Sequence, residues 1–461
     1  MTHAINEKYW GRKLSIALML RSDMVNLQSD QTRRVEMEDF TTLASNGMIS
    51  EFWPKGYQGI AAANLAIAGA EQVNVDESEK NPVTAQAYFI RAFYYFHLVR
   101  QFGGVPYIDA PIDDAAAAAQ ISRMPVDEVY ANIISDLEFA KTWLPDTRPS
   151  RAQPSKAAAS SYLALVYLTM GDFQNAYDEA QEVIANAGAY NLALDPDFQT
   201  LFNANIIDGS LEPIFALDYN NFEAPNNAYD QIAPMTGIRG DDRNEGGGWS
   251  VAVPELAVYE SFEEGDYRRT VSFDEEASIG GEVVTFENFK ISGHEHAGNM
   301  PYIAKYTRFP GPFDRGNARA TSHNMSMIRY AEVLLIAAEA AIEIGRPDEA
   351  TTYINMIRAR ARAGGQTETG ADVPISVGPS DVPADLVGAA TIDDVMEERR
   401  IELAFEGKRW YDIARRRMGA EVFGPNGLEG VKPAFTEDDY LMPLPEDELE
   451  RNTNLTQNPG Y

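Results

Sequence analysis

The 461-residue chain contains no cysteine, which excludes disulfides, thiolate-held zinc and thiol nucleophiles. Only five histidines occur. Two of them, His294 and His296 in GHEHAGN, form a lone His-x-His without third and fourth ligands, so no metal is expected. Long apolar runs are missing too, so no helix is expected to cross a bilayer. Basic residues are scarce: 38 Lys and Arg against 70 Asp and Glu leave a formal charge of −32. A polyanion would be repelled without a compensating basic stripe, which argues against nucleic acid and against anionic lipid surfaces. No nucleotide-binding glycine loop, Walker sequence or nucleophile elbow appears, and no cofactor is expected. The opening MTHAINEKYWGRKLSIALML has a short apolar block and no small-residue cleavage site, so it does not read as a secretory signal. Either the protein is cytoplasmic or its targeting segment has been removed from this sequence.

Hydrophobic residues at 44% and aromatics at 10% are those of a chain that buries a core. In KAAASSYLALVYLTMGDFQNAYDEAQEVIANAG, Lys156 to Gly188, the residues Leu163, Ala164 and Tyr167 share one helical face. Gly171 and Asp172 break the helix, and Ala176, Ala180 and Val183 line a second one. Small residues at Ala164 and Ala176 let two antiparallel helices approach closely, as in a tetratricopeptide repeat of about 34 residues. MIRYAEVLLIAAEAAIEIGRPDEATTYINMIRARA repeats the plan, with Ala338, Gly345 and Ala350 in the corresponding places. The two hairpins are not tandem, so a sizeable insertion separates them.

The chain reads as mostly α: a tetratricopeptide-like α-α superhelix with a large loop-rich insertion containing short strands. Its parts are 1–188, the first part of the helical scaffold; 189–320, the insertion; and 321–461, the rest of the scaffold, in one compact unit. Helices are expected within Tyr9–Leu27, from Phe52 to Ala70, from Thr84 to the Gly103-Gly104 stop, and from Val126 onward behind Pro125. Pro213–Tyr219 and Glu282–Phe286 look strand-like. Helices are expected to resume at about His323, and TIDDVMEERRIELAFEGKRWYDIARRR to form one strong helix. The Gly/Pro/Asp-rich GGQTETGADVPISVGPSDVPADLVGAA between them reads as an exposed loop.

Chemistry-bearing residues have bland readings beside the sharp ones. Glu339, Glu398, Glu402 and Glu406 with Arg329, Arg399, Arg400 and Arg409 have the helical spacing of ion pairs between packed helices, and that reading outweighs a catalytic one. His97, inside an aromatic helix, reads as a packing residue. A sugar offers flat C–H faces that stack on aromatic rings and hydroxyls that need polar partners. Trp249, framed by glycines in GGGWS, suits that task because glycines expose a ring; packing of the loop onto the scaffold is the alternative. Trp10, Trp53, Trp143 and Trp410 lie in helical contexts and read as core.

Four stretches, RAFYYFHLVRQFGGVPY, IRYAEVLLIAAEA, EERRIELAFEGKRWYDIARR and LTQNPGY, resemble hallmarks of the SusD/RagB family and occur in that family's order. The family comprises nutrient-binding outer-membrane lipoproteins of Bacteroidetes, and the likeness runs from about Tyr9 to Tyr461. It implies a non-catalytic, surface-exposed protein at the cell outer membrane. Such a protein captures an oligosaccharide and delivers it to a SusC-like TonB-dependent transporter. Membrane contact would come only through a lipid anchor, which this sequence lacks. By the same resemblance, Trp249 matches a sugar-stacking Trp, and Arg12, eleven residues ahead of Asp23, matches a sugar-contacting arginine. Tyr229 lies near another stacking position. The loop after Asp23, MVNLQSDQTRR, lacks the paired aromatics of the starch-binding member, which argues against an aromatic arc fitted to a helical glucan. Gln28, Asp30, Gln31 and Arg33 offer hydrogen bonds instead. The competing readings are a tetratricopeptide adaptor that binds a peptide in its groove and, further off, an all-helical glycosidase.

Overall fold

The computed structural model describes residues 3–28, 31–219, 230–243, 248–289, 299–314 and 320–461. Its regular structure is mostly α, as the apolar periodicity predicts. α1 (Lys13–Leu20) is buried along its whole length. The chain then forms β1 (Asn26–Leu27) and α2 (Thr32–Glu38), so the helix expected within Tyr9–Leu27 is shorter and gives way to a strand.

α3 (Ile49–Glu71) packs on α4 (Glu77–Phe102) closely enough to require glycine at the crossing: a Cβ on Gly59 would sit 2.1 Å from the Tyr94 ring. α4 starts ahead of the expected Thr84, buries Phe89, Phe93, Phe96 and Val99, and stops at Gly103 with φ of +70°. α5 (Val126–Trp143) follows Pro125, with Asp127 and Glu128 in its first turn, where the helix dipole favours them.

The hairpin of α6 (Lys156–Met170) and α7 (Phe173–Ala185) forms as its sequence predicts. Ser155 Oγ caps α6 by accepting from the Ala158 N–H, Gly171 turns the chain at φ of +77°, and Asp172 caps α7 through the Asn175 N–H. Ala164, Ala176, Ala180 and Val183 are all fully buried.

Among the described residues of 189–320 the elements are short. β2 (Pro213–Leu217), α8 (Ile232–Thr236) and β3 (Ala252–Val253) matter most for the site. β4 (Met325–Arg329) pairs antiparallel with β2, from Met325 opposite Leu217 to Arg329 opposite Pro213. Helices therefore resume at Tyr330, not at about His323, because the preceding residues fill the β2 ladder.

α9 (Tyr330–Glu343) and α10 (Pro347–Ala363) form the second hairpin, turned at Gly345 with φ of +82°. α9 lies directly against α7 of the first hairpin, and Gln181 Nε2 donates to Tyr353 Oη across the seam at 2.7 Å. The hairpins are thus neighbours in space despite the long segment between them. The expected exposed loop holds an antiparallel hairpin, β5 (Gly365–Glu368) with β6 (Pro374–Val377).

The stretch expected as one strong helix is two, α11 (Ile392–Glu402) and α12 (Arg409–Arg416). Between them Phe405 and Gly407 take positive φ. The carbonyls there serve side chains rather than the next helical turn: Glu402 O accepts from Arg329 Nη2 at 2.7 Å, and Phe405 O from Tyr306 Oη at 2.9 Å. One large apolar core includes residues from Ala4 to Leu455, among them Phe215, Ile232 and Phe273 of the 189–320 segment.

Candidate ligand-binding site

The glutamate and arginine cluster is a buried brace. Glu402, 0% exposed, holds Arg329 at 2.6 Å and Arg268 at 3.3 Å and also binds Arg360. Arg329 spreads further to Glu212 at 2.6 Å and Glu406 at 2.9 Å. Burial alone would raise the Glu402 carboxyl, but Arg360, Arg329 and Arg268 outweigh it and hold the group below the usual carboxylate range. Glu339 binds Arg415 and Arg416, and Glu398 binds Arg268 and Arg358. Each of these carboxylates is paired with two or more arginines, and the helix-pairing reading describes them. Glu212 and Arg268 belong to the 189–320 segment, so the brace ties it to α10 and α11.

His97 is buried, with Nδ1 near Arg100 Nη2 at 2.9 Å, and burial together with Arg100 and Lys408 pushes its pKa well below the ordinary value. Trp10, Trp53 and Trp410 are buried, and Trp143 packs partly buried against the core. His294 and His296 lie outside the described residues.

Three stretches that hold expected ligand-site residues meet at α8. The Gln231 N–H at its start donates to Gly11 O at 2.8 Å, which places it beside Arg12. Met235 Sδ, near its end, accepts from Arg34 Nη2 at 3.7 Å. Pro234 O accepts from the Trp249 N–H at 2.6 Å. β1 pairs with β3, two residues beyond Ser250, and the Gln28 N–H donates to Val251 O at 2.8 Å. A five-residue helix therefore joins Gly11, Arg34 and Trp249, which are far apart in sequence.

Their individual placements differ. Trp249 is half-buried and packed against the main core, with its carbonyl accepting from Arg239 Nη2 at 3.3 Å. The glycine before it serves close approach rather than exposure, since a Cβ on Gly248 would meet Ile238 O at 2.1 Å. Arg12 is 20% exposed at its side chain and pairs with Glu7. Arg33 is half-buried on α2, and Gln31, the residue preceding that helix, is exposed. Gln28 is buried, and its Nε2 donates to Asn26 Oδ1 at 3.1 Å. Asp30 and Tyr229 lie outside the described residues.

Arg34 and Met235 were not singled out by sequence reasoning. Arg33 and Arg34 are adjacent, and only the helical phase of α2 decides that Arg34 turns inward. Burial first, then repulsion from Arg33 and Arg12, lowers the Arg34 guanidinium to about 10. Lys13 is lowered by burial, and by Arg12 and Arg33, although Glu51 holds it at 2.6 Å. Asp230, just ahead of α8, accepts from the Ile232 N–H and the Thr321 hydroxyl, yet burial raises its carboxyl to about 7.

Comparisons with known proteins agree with this architecture. A family profile described as "SusD family" matches residues 290–461, and one described as "Starch-binding associating with outer membrane" matches residues 6–168. SusD-like protein P2 of Formosa agariphila is 50% identical over 462 residues, 99% of this chain and 89% of that protein. SusD-like protein P38 of the same organism is 26% identical over 89% of this chain and 79% of its own length. Among solved structures, a laminarin-binding SusD-like protein superposes with a TM-score of 0.81 at 24% identity, covering 100% of this chain and 97% of that one. Surface glycan-binding protein A from Bacteroides fluxus gives 0.77 at 24% identity, over 96% and 93%. The chain belongs to the SusD-like family.

Proposed function

We propose that the protein is a non-catalytic surface glycan-binding protein, which captures an oligosaccharide at the α8 face and passes it to a SusC-like TonB-dependent transporter. The observation that carries the binding reading is the convergence of Gly11, Arg34 and Trp249 on one short helix. Trp249 supplies a ring for stacking, while Arg12, Gln31 and Arg33 supply donors and acceptors for hydroxyls; Asp30 and Tyr229 complete the proposed contacts. Membership of the SusD-like family supports both the partner and a place at the outer-membrane surface, held there by a lipid anchor. In this reading a helical scaffold in 1–188 and 321–461 presents a loop-rich segment, 189–320, to the ligand.

Calorimetry and affinity electrophoresis against a panel of neutral and acidic glycans test the reading. Laminarin belongs on the panel because the superposable protein binds it. The expected result is saturable binding to at least one glycan without release of reducing ends. Absence of binding across the panel overturns the reading, and continuous release of reducing ends would favour the glycosidase.

A further inference from the structure

The α8 face has an unusual charge balance for a chain with 70 acidic and 38 basic residues. Arg12, Lys13, Arg33 and Arg34 lie close enough to repel one another. The carboxylates paired with them are Glu7, on Arg12, and Glu51, on Lys13. Arg33 has no side-chain hydrogen bond or ion pair among the described residues, and its Cδ passes near Gly47. Arg12 Nε is buried with no hydrogen-bond partner among the described residues. Arg34 is 8% exposed, and among the described residues its guanidinium hydrogen-bonds to the thioether of Met235 alone, a weak acceptor.

The rest of the molecule treats buried arginine differently. Every other buried arginine among the described residues donates to a carboxylate or, for Arg21, to the Asp439 carbonyl. A buried guanidinium without an oxygen acceptor costs free energy. Placing Arg33 and Arg12 beside it adds to that cost. An incoming anion would supply the missing acceptors in the forked geometry that guanidinium groups favour. The overall charge of −32 does not forbid this approach, because screening confines exposed charges to a range of about 8 Å at physiological ionic strength.

We propose that this face selects acidic glycans: a sulfate ester or uronate carboxylate on the sugar chain docks on Arg12, Arg33 and Arg34 while a neighbouring ring contacts Trp249. This rests on the glycan-binding reading and names its substrate class. The lowered pKa of Arg34 is the cost that such an anion relieves.

The test is calorimetry on the full chain with two matched pairs: a sulfated galactan and its desulfated product, and polygalacturonate and its carboxyl-reduced product. The acidic member of at least one pair should bind tenfold or more tighter than its neutral counterpart, and that pair identifies sulfate or carboxylate as the docking group. Affinity should fall with added salt. Arg33→Ala, at a half-buried side chain with no hydrogen-bond or ion-pair partner among the described residues, and Arg34→Ala should each remove most of the preference, and Arg34→Lys should restore part of it. Circular dichroism melts verify that the variants fold. Equal binding of acidic and neutral members, or binding of neutral glycans alone, overturns the selectivity and leaves the glycan reading standing. An acidic preference unchanged in both alanine variants overturns the assignment to these arginines. Failure of every pair and of the whole glycan panel overturns both readings.

Discussion

The Glu402 brace and the α8 face are two arginine-rich regions built on opposite principles. At the brace, Arg268, Arg329 and Arg360 converge on one carboxylate and share Glu212, Glu398 and Glu406 as further partners. At the face, Arg34 has a thioether where the others have carboxylates, and Asp230 is a buried carboxylate whose partners are a hydroxyl and an amide rather than a cation. In the first arrangement every guanidinium has a carboxylate partner. The second leaves charge unanswered next to a half-buried tryptophan. Completeness of pairing, more than the abundance of arginine, separates the part that holds the molecule together from the part suited to recognition.

The contrast is most severely tested at its centre. Glu402→Ala leaves three buried guanidinium groups short of a partner, and should cost about 3–5 kcal/mol in chemical denaturation. A loss below about 1 kcal/mol would mean that the brace is not the structural seam described here. The pH dependence of the two regions should also have opposite signs. Glu402 is held below its ordinary value, so its contribution is present above the usual carboxylate range and is lost as pH falls through the depressed value. Asp230 is raised to about 7, so its contribution is present below the unfolded value of 3.8 and is lost as pH rises towards 7. Asp230→Asn should flatten that part of the stability profile, an effect of about 2–4 kcal/mol between the two limits. An unchanged slope would show that Asp230 is ionised in the folded protein.

Smaller effects probe the face itself. Trp249→Ala should weaken glycan binding by about 1–2 kcal/mol in calorimetry, the scale of an aromatic contact. Full retention of affinity would remove Trp249 from the site. Arg34→Met should change stability least, by less than about 1 kcal/mol or with a gain, because it removes a charge that lacks a counter-charge. A loss of several kcal/mol would place Arg34 with the brace.

Much of the scaffold was legible in the sequence. Gly171 and Gly345 mark turns that both take positive φ, and the small residues between paired helices are buried. The failures share one cause. The single helix expected over Thr391–Arg417 breaks because Arg329 and Tyr306, distant in sequence, capture its carbonyls. Met325–Arg329 becomes a strand because Pro213–Leu217 offers it a ladder. At the proposed site the sequence pattern points to Arg12, Arg33 and Trp249, but the glycine before Trp249 answers a steric demand from Ile238 that no local pattern announces.

The sequence by itself determined the hairpins, their stops and the absence of cysteine chemistry, since helical periodicity and glycine turns depend on residues within a few positions of one another. Only the tertiary structure decided which charges are answered. Arg33 and Arg34 are identical side chains one residue apart, and the phase of α2 against Met235 makes one half-buried and the other buried. Likewise, Glu402 acquires its partners from Arg268, Arg329 and Arg360, on three separate segments. Burial and long-range pairing set the energy of a charge, and neither is written in the residues beside it.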